Sequence, residues 1–150
     1  MMILANELSV ELLLVMWCVI AYLLPAVTST RLSVQSSQRA LGVAWLLHAV
    51  LLGLALVSNT PRFGFAPALS VTAWLVLTVY AIEHQLFPQL QARWALAGLG
   101  AIAVVLASLF PGAPLHSGSS PWLALHWALG IASYGLFAAA VVHAWLMSRA

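Results

Sequence analysis

Charge is what this sequence has least of. Its 150 residues contain no lysine and no aspartate; three glutamates (Glu7, Glu11, Glu83) and five arginines bring the charged fraction to only 5%. A soluble domain carries about a quarter charged residues. The soluble-enzyme, secreted-disulfide and disordered classes are therefore excluded. Cysteine is nearly absent too. Cys18 stands alone inside an apolar run, so there is no disulfide and no C-x-x-C pair. Without C-x-x-C-H the chain is no covalent c-type cytochrome, and Cys18 reads as a small apolar helix residue. So few carboxylates nearly exclude carboxylate metal centres and acid–base pairs. The arginines are scattered singly, so a pI near 9.2 describes no basic stripe and no nucleic-acid partner.

What the chain has instead is hydrocarbon: 64% of its residues are hydrophobic and the mean hydropathy is +1.05. Apolar runs of about 18 to 25 residues are what a bilayer requires of spanning helices. Five runs separate, at 8–27, 40–58, 66–82, 94–110 and 122–147. The expected fold is an all-α, polytopic transmembrane bundle forming one integral membrane domain over 1–150. No positive region precedes the first run, which Glu7 and Glu11 flank, so it reads as a retained span and not a cleaved signal. Short polar connectors, TSTRLSVQSSQR, NTPRFGF and PGAPLHSGSSP, make sequential helices antiparallel neighbours.

Arginine placement sets the expected orientation. With the N-terminus outside, Arg31, Arg39, Arg93 and Arg149 lie inside and Arg62 alone lies outside. The positive-inside rule then favours N-out, C-in. Trp94, Phe110 and Trp122 fall where helices meet the headgroups. Ala97 with Ala101, and Ala103 with Ala107, give the fourth helix small-xxx-small spacing for close packing. The fifth run, about 39 Å long as a helix, exceeds a hydrocarbon thickness near 30 Å and must tilt or project.

The five histidines are the candidates for chemistry. His84 and His143 lie near the inner ends of spans and are explained by interfacial solvation. His116 sits in the outer loop. His48 is different, because it lies about 15 Å from either end of the second span. An imidazole at that depth needs a cavity or a partner, and intramembrane ionisable residues are functional-site candidates. The structural alternative is an interhelical hydrogen bond, which Ser70, Trp74 or Thr78, sharing one face of the third span, can supply. His126 lies one turn inside the outer end of the fifth span, with Gly130, Ser133, Phe137 and Ala144 within about 40° of its direction. Small residues below an imidazole leave room for a flat metal-bearing ligand, although glycine and serine also favour helix contacts. Histidine without cysteine or carboxylate is poor equipment for zinc, whereas haem iron takes axial imidazoles readily. Haem b, held non-covalently, is the leading cofactor. His48 and His126 differ in depth by several Å, so they do not share one iron.

The stretch PWLALHWALGIASYGLF resembles the W-L-x-x-H-x-x-x-x-x-x-S-Y-x-x-[LF] signature of the cytochrome c assembly membrane proteins. These are haem-handling proteins related to the system II export and ligation channel. HAVLLGLAL and FGFAPALSVTAWLVLTVYAIE are similar to a bacterial inner-membrane subgroup of that family, and the resemblance covers essentially the whole chain. It implies that His126 is an outward-facing haem ligand and His48 a membrane-embedded one. Each would pair with a histidine from a C-terminal half that is not in this sequence. His84, His116 and His143 match no family ligand. Two departures stand out. A chain without aspartate has no W-W-D segment, which the subgroup also lacks in clear form. And the family has about eight spans, so this chain looks like the N-terminal five-helix part of such a protein, or a shortened variant.

The expected function is that of a haem-binding, non-enzymatic inner-membrane protein in cytochrome c assembly. It would hold or pass haem toward the outer face, with haem, apocytochrome c or other maturation proteins, and the lipid bilayer as partners. The alternatives are a haem b electron-transfer subunit, which needs histidine pairs at matched depth, and a cofactor-free structural or transporter subunit.

Overall fold

The structure is a computed structural model that describes residues 2–27, 33–58, 62–86, 93–114 and 121–148. Five helices make up nearly all of it: α1 (Met2–Val27), α2 (Val34–Val57), α3 (Phe65–Leu86), α4 (Arg93–Leu109) and α5 (Pro121–Met147). Within α1, α2 and α3, the segments Val10–Val27, Gln35–Val57 and Phe65–Gln85 are long and apolar enough to cross a membrane. Trp94–Leu109 and Ser133–Trp145 are shorter apolar stretches.

Helix ends depart from the sequence reading where polar side chains replace missing backbone partners. The second helix starts six residues before residue 40, inside the serine-rich connector. Ser33 caps it: its hydroxyl accepts the Ser36 backbone N–H at 3.1 Å. That bond satisfies one of the donors a helix start leaves open. Two connectors expected to be plain turns also pair with each other. β1 (Arg62–Phe63) and β2 (Ala113–Pro114) form a two-residue antiparallel ladder, Arg62 opposite Pro114 and Phe63 opposite Ala113.

The packing follows side-chain size. α1 lies against α2 and α4, α3 lies against α4 and, more lightly, α2, and α5 packs along α3 on the outside of this four-helix group. Ala97 and Ala101 of α4 are buried, as the small-residue spacing predicts, whereas of the second pair Ala103 is buried and Ala107 only half-buried. Gly100 between them has a specific reason to lack a side chain, since a Cβ there would come within 2.7 Å of the Tyr22 ring. Cys18 is buried and its thiol lies 3.6 Å from the Ala44 carbonyl, in keeping with a small packing residue.

The two ends of the bundle differ. One gathers the starts of α1, α3 and α5 with the β1–β2 clasp; among the described residues Arg62 is its one arginine. The other gathers the starts of α2 and α4, hence Arg39 and Arg93, and the ends of α3 and α5.

Candidate functional site

His48 sits at the junction of α1, α2 and α3 with no exposed surface. Its Nδ1 is 2.9 Å from the Tyr22 hydroxyl and its Nε2 is 2.7 Å from the Ser70 hydroxyl. Tyr22 is fully buried and Ser70 is 3% exposed. In either tautomer one ring nitrogen donates and the other accepts, and each hydroxyl can play the complementary part. The imidazole is thereby fully satisfied, and the Tyr22 ring meets it edge-on at a centroid distance of 5.8 Å.

The rest of that α3 face is committed to α2 as well. Trp45 Nε1–H donates to Thr78 Oγ1 at 2.8 Å, and Trp74 Nε1–H donates to the Trp45 carbonyl at 3.2 Å. The two indoles stack with centroids 5.2 Å apart. Ser70, Trp74 and Thr78, grouped by helical period, all bond or stack across one interface. His48 takes the interhelical bond to Ser70 that the sequence allowed. As packed it offers iron no free nitrogen, and ligation there requires the Tyr22 or Ser70 bond to be given up. A haem does not fit at His48 in this packing.

His126 is placed quite differently. It is exposed on the first turns of α5, and it forms no hydrogen bond or ion pair among the described residues. Its direction is set by the opposite side of the helix. Gly135, nine residues on and so about 180° away, is buried against α3, its Cβ direction 3.3 Å from Leu75. The strip of His126, Gly130, Ser133 and Phe137 therefore points away from the bundle. Nothing stands within 4 Å of a Cβ built on Gly130, and the Ser133 hydroxyl turns back to the Gly130 carbonyl at 2.7 Å. Phe137 is 76% exposed and its neighbour Tyr134 is 75% exposed. An open imidazole above a glycine and an exposed aromatic would leave room for a flat, metal-bearing ligand beside the helix. His48 and His126 are not brought together.

The remaining histidines form a group at the far end, apart from His116, which lies outside the described residues. His84 stacks on Tyr80, and its Nε2 is 2.9 Å from the Gln38 side-chain amide. His143 Nδ1 lies 3.4 Å from Glu83 Oε1, an ion-pair distance without hydrogen-bond alignment. These contacts fasten α2 and α5 to the end of α3. Among the described residues no three His, Cys, Asp or Glu side chains are placed to hold a metal ion together.

Two participants were missed in the sequence. Tyr22 had a usable signal, because a hydroxyl deep in a spanning helix has only protein to bond. Trp127, next to His126, stacks on Phe63 of β1 at a centroid distance of 5.0 Å and ties the clasp to α5; no spacing in the sequence indicated that contact. Neither a protein-family model, nor a curated protein, nor a solved structure matches this chain.

Proposed function

We propose that the chain is a multi-pass protein of the bacterial inner membrane, with five spans and the N-terminus outside, that binds haem b and takes part in cytochrome c assembly. It holds or passes haem at the end of the bundle that carries His126 and acts as an accessory to haem attachment, not as a catalyst. Apocytochrome c or other maturation proteins are its partners. The observation that supports this reading is the outward strip of α5, where an imidazole with no internal partner stands above a glycine. His126 would hold the iron through an imidazole nitrogen, and Gly130 would leave room beside the helix. Bound haem supplies an iron that takes axial imidazoles. Any further ligand to that iron would have to come from outside the described residues. His48 supports a cofactor-free role at its own depth, because its two hydrogen bonds already satisfy it.

The purified chain titrated with haemin tests this. A weak, high-spin haem band is expected, since only one imidazole is offered. His126→Ala should remove the band, and His48→Ala should leave it in whatever fraction stays folded. A wild-type band no stronger than that of His126→Ala would refute the reading. Orientation is checked separately. A reporter fused after Ala150 should be active in the cytoplasm, and one inserted in the segment 115–120 in the periplasm. The reverse pattern would open His126 to the wrong compartment.

A further inference from the structure

The start of α3, the end of α4 and the β1–β2 clasp border an open recess of about 690 Å³. Leu106, Leu109, Phe110, Phe65 and Ala66 form its apolar wall, Pro111 and Gly112 its rim, and Arg62 is its one charged residue. The recess has the polarity profile of the membrane–water boundary, with a guanidinium at the loop level and an apolar stripe running down the helix ends. Leu109 and Phe110 are more than 60% exposed along that stripe. Arg62 forms no ion pair among the described residues. It is held in place by the ladder and by the close approach of Gly64 to Gly112, where a Cβ on Gly64 would stand 3.0 Å from the Gly112 Cα.

We propose that this recess binds an anionic phospholipid, its phosphate on Arg62 and its upper acyl chain along Leu106, Leu109 and Phe110. The chemistry selects that occupant on three counts. A free anion would leave the apolar wall uncovered, whereas a phospholipid matches both levels. Among the described residues no carboxylate lines the recess, so the ammonium of a zwitterionic headgroup finds no partner from them. Among the described residues no imidazole lines it either, so an iron-bearing ligand finds no donor from them. The site is separate from the His126 strip, which lies on the outward side of α5, and it does not depend on the haem reading.

The test is lipid retention by the full chain, reconstituted in vesicles of equal phosphatidylglycerol and phosphatidylcholine, extracted in mild detergent and weighed by native mass spectrometry. Wild type should keep phosphatidylglycerol about fivefold over phosphatidylcholine, the size of preference one interfacial arginine confers. Arg62→Gln should bring the ratio close to one, and Arg62→Lys should restore most of it, with helicity by circular dichroism unchanged in both. An unchanged ratio in Arg62→Gln would overturn the proposal. So would an equal fall in Arg39→Gln, at the other end of the bundle, because the preference would then be a general charge effect. Displacement of the lipid by haemin, but not by its dimethyl ester, would reassign Arg62 to a haem carboxylate and likewise overturn it.

Discussion

Replacing His48 by alanine is expected to destabilise the protein by about 3 kcal/mol in detergent–SDS unfolding, with three helices loosened at once. Two physical contributions add. Removing a buried ring leaves a cavity, a change that costs about 3–5 kcal/mol for the largest side chains and less where neighbours relax. The change also strands the hydroxyls of Tyr22 and Ser70, 0% and 3% exposed, without their partner. A buried polar group left unpaired costs about 1–3 kcal/mol. Hydrogen bonds between membrane helices average less, about 0.6 kcal/mol in measured cycles, because the unfolded helices find other partners in the membrane. That pulls the total toward the lower end. Tyr22→Phe and Ser70→Ala each remove one bond and should cost about 1 kcal/mol. In the double change His48→Ala with Tyr22→Phe the loss should be smaller than the sum, since the phenylalanine removes one of the two stranded hydroxyls. If His48→Ala costs no more than alanine at the exposed Leu46, the three-helix junction is not what holds this bundle.

That junction shows how much of the molecule could be read in advance. The apolar runs located all five helices, because burying backbone polar groups in lipid leaves helices as the available solution for a chain of this composition. The face of Ser70, Trp74 and Thr78 followed from a 3.6-residue period, and α2 meets that face. Which ring nitrogen would meet which hydroxyl did not follow. It depends on how far α1 slides along α2, and nothing in the spacing fixes that. Tyr22 lies 26 positions from His48 and joins it only through that register. The direction of His126 was legible as a strip of small residues, but not its outward turn. Glycine and serine permit both close helix contact and open space. Gly135 and Gly130 took opposite roles on the two sides of α5, one against Leu75 and the other with nothing within 4 Å. The β1–β2 clasp was the least legible feature. It pairs residues some fifty positions apart through backbone groups, and backbone groups carry no sequence signal.

The clasp also yields the second large expected effect, at Gly112. This residue has φ +81, a left-handed conformation that costs an L side chain about 1–2 kcal/mol. A Cβ there would stand 2.3 Å from the Phe63 carbonyl oxygen and 2.9 Å from the Gly64 nitrogen. Both are backbone atoms, so no rotamer change relieves the clash and the two strands must part. Gly112→Ala should therefore open the ladder and cost about 3 kcal/mol, a sum limited by the few bonds of a two-residue ladder and one aromatic stack. Hydrogen exchange should show the amides of Arg62, Phe63 and Ala113 losing protection while those within α1 and α2 keep theirs. Gly98→Ala is the matched control. Nothing lies within 4 Å of its Cβ position and it sits inside α4, where alanine is favoured over glycine by about 1 kcal/mol, so that change should be neutral or stabilising. Protection at 62–63 that survives Gly112→Ala would mean the loops do not depend on this approach. If instead protection is lost, Phe63 is released from Trp127 beside His126, and Arg62 from its place over the recess. A single methyl group would then disturb both the lipid site and the first turns of α5 without touching a residue of either.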